Sequence, residues 1–195
     1  GGACDLLIEA VELTRARSNL RRRAWVLALH ARSLAADTRR SPSRRSVLSL
    51  LDTSHEVLIN VADPPGGADF FDHGRLEGVR GSALLNLGAA DDAEVALDAA
   101  LRHRAAGDIK GRALLQLDLA RCRVLQGAPD EAAKLAVASI DMAAGTVVRP
   151  MLMKAAEVAE QIRVAGRGRL PTRLADRLAE VESNLPKGLL LEVDD

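Results

Sequence analysis

Apolar residues recur every three to four positions along most of the chain, which is the spacing that places them on one side of an α-helix. In the segment 19–38, for example, Leu27 and Ala31 belong to one such stripe. No segment alternates apolar and polar residues in the manner of a half-buried strand. The pattern therefore predicts an all-α protein.

Breaks rich in proline, glycine and serine divide this pattern into about nine helices. The longest break is Asp63-Pro64-Pro65-Gly66-Gly67. Because most of the other breaks are short, they predict antiparallel helical hairpins. The predicted helices cover residues 5–17, 19–38, 43–61, 70–87, 91–104, 109–126, 130–143, 150–164 and 171–185.

Two of the predicted hairpins share a sequence pattern. The phrase LLNLGAADDAEVAL, residues 84–97, aligns without a gap with RVLQGAPDEAAKLA, residues 123–136. Small residues stand at matched places in both hairpins. This regularity predicts a repeated structural unit.

Glycines inside the first of these hairpins need an explanation, since each costs a helix about 1 kcal/mol relative to alanine. We expect Gly81 to let a second helix pack closely against the first. Gly88 is expected to end its helix with left-handed backbone. For Gly78 we expect a role in leaving room on a groove-facing side.

The repeat resembles the tetratricopeptide repeat, a helical hairpin of about 34 residues with small residues at fixed places in both helices. The resemblance implies a right-handed α-solenoid that forms a single domain over residues 1–195. Its repeats would cover 19–61, 70–105, 109–145 and 150–185, and 1–17 would be the second helix of a truncated repeat.

Three stretches carry a closer resemblance. They are AWVLALHARSLA (24–35), FFDHGRLEGVRGSALLNLG (70–88) and RALLQLDLARCRVLQGAPDEAAKLA (112–136). They are similar to repeats that follow a helix-turn-helix domain of the xenobiotic-response-element (XRE) or Cro type in actinobacterial transcriptional regulators. The resemblance implies a non-catalytic recognition and dimerisation module in the cytoplasm. It assigns DNA binding to a helix-turn-helix domain that these 195 residues do not include.

Two other functions stay open at this point. One is a free-standing scaffold for protein–protein interaction, and the other is the regulatory domain of a larger signalling enzyme such as a kinase or an ATPase. In all three interpretations the partner is a protein or a peptide, and a homodimer is one of the arrangements expected.

In the tetratricopeptide family, the first helix of each repeat lines a concave groove. A groove that mixes arginine and leucine suits an extended peptide or an acidic, apolar segment, although these residues could also simply be solvated. We expect Asp118 to form an ion pair with Arg121 or Arg75. For Trp25 the alternative is packing against a neighbouring helix pair. The candidate groove residues are Arg22, Trp25, Arg32, Arg75, Ser82, Asn86, Leu117, Asp118 and Arg121. The same register includes Leu29, Gly78, Leu85, Leu114, Val124 and Leu125.

Charge changes this picture only locally, because 27 basic residues balance 27 acidic ones. Between positions 15 and 45, however, there are ten arginines and one acidic residue. The run predicts either a solvated face or a surface for an acidic partner. Trp25 is the one aromatic residue in this run, which falls short of the series of aromatic side chains that nucleic-acid stacking requires. The basic patch consists of Arg21, Arg23, Arg39, Arg40, Arg44 and Arg45.

The sequence offers no catalytic constellation, so we expect no enzyme activity, no metal and no cofactor. The four histidines have no partners at the spacing of a known site. Cys4 and Cys122 are the only cysteines and form no CxxC motif, which favours a reducing compartment. No apolar run approaches the roughly 18 residues that a membrane span needs, so no membrane association is expected.

Overall fold

A computed structural model describes residues 3–14, 20–37, 43–61, 71–143, 149–166 and 171–183. Within these ranges the structure contains nine α-helices and no strand, which confirms the all-α prediction. The predicted loop at 63–67 and the tail at 186–195 lie outside the described residues. The helices are α1 (Ala3–Leu13), α2 (Leu20–Ala36), α3 (Arg44–Ile59), α4 (His73–Asn86), α5 (Ala90–His103), α6 (Ile109–Leu125), α7 (Pro129–Met142), α8 (Arg149–Ala165) and α9 (Thr172–Ser183).

The described helices divide between two compact units, Gly1–Arg104 and Ala105–Asp195. In the first unit, α2 packs on α1, α3 and α4, and α4 packs on α3 and α5. The core of this unit includes Leu51 and Leu76, which are fully buried. Its buried Ser54 hydroxyl donates a hydrogen bond to the Ala24 carbonyl, 2.8 Å away, which joins α3 to α2.

In the second unit, α6 packs on α7 and α8, α7 packs on α8 and α9, and α8 packs on α9. Leu117, Ile140 and Leu174 form part of the main core. Within the described ranges, no helix of either unit combines the length and apolar character that a membrane span requires.

The hairpins α4–α5 and α6–α7 have the same turn. Gly88 (φ 72°) and Gly127 (φ 78°) both adopt left-handed backbone. In each turn the amide of the residue after the glycine donates a hydrogen bond to the third-last helical carbonyl: Ala89 to Leu84 at 2.9 Å, and Ala128 to Arg123 at 2.8 Å. These are Schellman motifs, so the prediction for Gly88 is confirmed.

The sequence repeat is also a structural repeat at this level. Helices α5 and α7 both have 14 residues, and they begin at matched positions of the two aligned phrases. The first helices differ, since α4 has 14 residues and α6 has 17. Asp72 and Asp108 cap these two helices by accepting hydrogen bonds from the Arg75 and Gly111 amides. Because α4 and α6 end at matched positions, the extra residues of α6 lie at its N-terminal end, away from the shared turn.

Gly81 lies where α4 and α5 come closest. A Cβ atom on Gly81 would lie 2.5 Å from Leu97 Cγ and 3.3 Å from the Ala93 carbonyl oxygen. The expectation that a second helix packs closely at Gly81 is confirmed. In the next hairpin the matching positions are Ala120 and Ala136, both fully buried. The glycine–leucine pair of the first hairpin thus corresponds to an alanine–alanine pair in the second. In both hairpins the two side chains together stay small enough for the helices to pack closely.

Candidate binding surface

Helix α2 carries one continuous face of candidate groove residues. Arg22, Trp25 and Arg32 fall on one side of the helix because a helix turns by about 100° per residue. Arg22 and Arg32 are exposed. Trp25 is half-buried, and its inner part packs against the core of the first unit. Trp25 thus packs on the core of the first unit, in line with its packing interpretation, and it lies on the same side of α2 as the two exposed arginines.

Helix α4 presents the next candidates. Arg75, Ser82 and Asn86 share one side of this helix. Arg75 and Ser82 are half-buried, and Asn86 is exposed. Gly78, which the same register placed toward a groove, is buried. Gly78 therefore does not face an exposed groove, and this expectation is wrong.

Leu117 requires a correction to the predicted groove register. Its side chain is 0% exposed and lies in the core of the second unit, so it offers no surface to a partner. The matching residue of the preceding hairpin, Gly78, is buried as well. The more open stripe of α6 instead runs through Arg121 and ends at Leu125, which is exposed.

Four charged residues form a chain of contacts between α6 and α8. Lys154 Nζ lies 2.7 Å from Asp118 Oδ2. Arg121 lies between the two acidic groups, with its NH1 3.8 Å from Asp118 Oδ1 and its NH2 3.6 Å from Glu157 Oε1. The predicted ion pair between Asp118 and Arg121 is confirmed, and Lys154 is a second partner that sequence reasoning missed.

Burial explains why Asp118 needs both cations. Its side chain is 2% exposed, against 13% for Arg121 and 23% for Lys154. A carboxylate removed from water is costly unless cations and hydrogen bonds replace its hydration. The cluster therefore fixes α8 to α6, while the outer parts of Arg121 and Glu157 remain open to solvent. A lysine between the apolar positions Met151 and Ala155 is the sequence signal that could have revealed this contact.

The basic patch is spread over the starts of two helices. On α2, Arg21 donates a hydrogen bond to the Phe71 carbonyl at 3.3 Å, and Arg23 is half-buried. On α3, Arg44 forms an exposed ion pair with Asp92 at 2.6 Å. Arg45 is exposed. Two further members of the patch, Arg39 and Arg40, lie outside the described residues.

The histidines and cysteines form no assembled site within the described ranges. His55 and His73 stack edge to face, with ring centroids 5.1 Å apart. Burial lowers the pKa of His30. Across the same ranges, no three His, Cys, Asp or Glu side chains converge as metal ligands would. Cys4 and Cys122 are buried and form no disulfide, and Cys122 is a small core residue as predicted.

Comparison of this chain with protein-family models, with curated proteins and with solved structures gives no match. The resemblance to tetratricopeptide repeats and to actinobacterial regulators therefore stays a prediction that rests on the quoted residues.

Proposed function

We propose that this chain is a non-catalytic recognition module that binds an acidic, apolar peptide or protein segment. In this proposal its hairpins continue one another as a right-handed tetratricopeptide-like solenoid. The module serves in the cytoplasm as the sensing and dimerisation part of a bacterial transcriptional regulator of the XRE or Cro type. DNA contacts belong to a separate helix-turn-helix domain.

The repeated hairpin supports the structural half of the proposal. Small residues at matched places, such as Gly81 and Ala120, are buried where paired helices meet. The first helices of successive hairpins also pack on each other within each unit, as α2 does on α4 and α6 on α8. This adjacency of first helices is what a groove-forming helical repeat requires.

The exposed face of α2 is the observation that carries the functional half. Arg22 and Arg32 flank the half-buried Trp25 on one side of the helix. Arginine and tryptophan are among the residues most enriched at binding hot spots, since both combine apolar area with directed hydrogen bonding. Guanidinium groups also form paired hydrogen bonds with carboxylates. The face therefore suits a segment in which acidic and apolar residues alternate.

Regulation in this proposal requires the bound segment to favour one of two states of the module. A ligand can shift such an equilibrium only by the difference between its affinities for the two states. A change of dimer arrangement is one such pair of states. It alters the shape of the dimer and leaves its mass constant, so small-angle X-ray scattering measures it. A scattering profile that changes when the segment binds supports the mechanism, and an unchanged profile contradicts it.

Selection from a random peptide library tests the recognition itself. We expect the selected peptides to be rich in acidic and apolar residues. Their affinity, measured by calorimetry, should fall by about tenfold or more for Arg22→Glu and for Arg32→Glu, because each reverses a charge at the contact. Arg102→Glu, on the exposed side of α5, is the matched control. Equal loss in the control, or no selected peptides, would show that the α2 face is not the binding site.

A further inference from the structure

A second surface, formed by α7 and α9, has the features of a small-molecule site. These two helices lie side by side in the second unit and leave a cleft of about 500 Å³ between them. Ligand sites usually measure about 300–1,000 Å³. The cleft uses the second helices of hairpins, whereas the proposed peptide surface lies on α2, a first helix.

The floor of the cleft is apolar. Ala133, Val137 and Leu174 line it and are buried beneath its surface, and Ala138 stands exposed at its edge. Alanines on α7 leave space that larger side chains would fill. A ligand that occupies this space must therefore bring an apolar body, since the floor offers it no side-chain hydrogen bonds.

The rim supplies positive charge from both helices. Lys134 comes from α7 and Arg173 from α9. Among the described residues neither of them forms an ion pair. In the adjoining part of the cleft, by contrast, Arg177 is already engaged by Asp141 and by Glu180, each at 2.6 Å. An anionic group would therefore be held by Lys134 and Arg173.

The acidic groups of the rim limit the charge of the ligand. Asp141 shares Arg177 with Glu180, and Asp130 stands one helical turn before Lys134 on the same rim. Asp176 lines the adjoining part of the cleft as well, so the cleft as a whole carries no excess positive charge. Lys134 and Arg173 can pair with a head group of one negative charge, whereas the surrounding carboxylates would repel a polyanion.

We propose that the α7–α9 cleft binds a small amphiphilic carboxylate, whose apolar chain lies on the floor of Ala133, Val137 and Leu174 and whose head group pairs with Lys134 and Arg173. The proposal is independent of peptide recognition by α2. It gives the second unit a small-molecule ligand of its own.

Calorimetric titration of the chain with decanoate, at concentrations where decanoate is monomeric, tests the cleft. We expect saturable binding with one decanoate per chain. Ala138→Trp should abolish it, because the indole fills the cleft from an exposed position without disturbing the core. Ala156→Trp places the same ring on an exposed position of α8 and should bind as the unmodified chain does. No binding, or equal binding by both variants, would overturn the proposal.

A second set of titrations tests the role of charge. Lys134→Gln and Arg173→Gln should each weaken decanoate binding by about tenfold, since each removes a charge-assisted hydrogen bond. Lys110→Gln, an exposed lysine of α6, is the matched control. Decyltrimethylammonium should bind at least about tenfold more weakly than decanoate, because its head group is repelled by the two cations of the rim. If the two ligands bind equally well, or if the glutamine variants bind decanoate unchanged, the carboxylate assignment is wrong.

Discussion

Adding one methyl group at Gly81 should have opposite effects on stability depending on the residue that faces it. In the unmodified chain, a Cβ at this position would lie 2.5 Å from Leu97 Cγ and 2.7 Å from its Cδ2. Leu97 is fully buried, so its side chain cannot turn away into solvent. One of the two helices, or the leucine itself, must therefore shift.

Two terms set the size of the effect of Gly81→Ala. Alanine in place of a helical glycine stabilises the helix by about 1 kcal/mol. Overpacking a buried site costs about 1–3 kcal/mol. We therefore expect Gly81→Ala to lower the free energy of unfolding by about 1 kcal/mol.

The sign should reverse once Leu97 is shortened. Leu97→Ala alone should cost about 2–5 kcal/mol, because it leaves a cavity in the core. In that background the two closest atoms, Leu97 Cγ and Cδ2, are gone, and the next neighbour of the new methyl group is the Ala93 carbonyl oxygen, at 3.3 Å. Gly81→Ala should then stabilise the protein by about 1 kcal/mol, which gives a coupling energy of about 2 kcal/mol between the two sites. The pair Ala120 and Ala136 of the next hairpin is the natural counterpart of this double variant.

Urea denaturation of the four proteins measures this coupling. Trp25 is the only tryptophan and packs against the core of the first unit, so its fluorescence reports on the unit that contains Gly81. Circular dichroism monitors the helices of the whole chain in parallel. Gly81→Ala could instead change the free energy of unfolding by the same amount with leucine and with alanine at position 97. That result would show that close packing against Leu97 is not the reason for a glycine at position 81.

Three other predictions follow from single contacts. Gly127 has left-handed backbone, which is strained for alanine. Gly127→Ala should therefore lower the free energy of unfolding by about 1 kcal/mol, and an unchanged urea midpoint would contradict this. Lys154 is a close cationic partner of the buried Asp118. Lys154→Met should lower the free energy of unfolding by about 2 kcal/mol, and adding Asp118→Asn should recover part of the loss in the same assay. Burial lowers the pKa of His30, so the unfolded chain binds that proton more tightly, and the free energy of unfolding should fall as the pH drops below about 6.5. His30→Leu should reduce this fall when urea midpoints at about pH 7.5 and about pH 5.5 are compared, and an undiminished fall would assign it to other groups.

Features of the fold that depend on residues close together in the chain could be predicted from the sequence. Features that depend on residues far apart in the chain were harder to predict. The left-handed turn at Gly88 and the close packing at Gly81 could be predicted because a helical pattern seldom contains a glycine unless the backbone or a neighbouring helix requires it. Most helix ends differ from the predicted ones by one to three residues, as is usual where the last turns fray. The N-terminal ends of α8 and α9 fall beside Pro150 and Pro171, where a missing amide costs little.

The candidate site was harder to predict because it depends on how each helix is rotated about its axis. Periodicity shows that Leu117 and Arg121 lie on related sides of α6, yet only the packing of α7 and α8 decides which of them faces the core. Asp118 pairs with Arg121 on its own helix and with Lys154 on another helix, 36 residues along the chain. The apolar neighbours of Lys154 show that it lies near the core, but they do not identify the carboxylate that it contacts. The cleft between α7 and α9 likewise depends on the spacing of two helices that are separated along the chain by a third.

All the packed helix pairs among the described residues are either consecutive or separated by one helix. Contacts of this kind close short loops, so the chain loses little conformational entropy when they form. Each unit should therefore fold rapidly, in the range of helical proteins with low contact order. Helix α1 packs on α2 alone among the described helices, while α2 and α4 each contact several neighbours. Amide hydrogen exchange should accordingly be fastest in α1 and slowest in α2 and α4, so the edge of the first unit opens before its centre does.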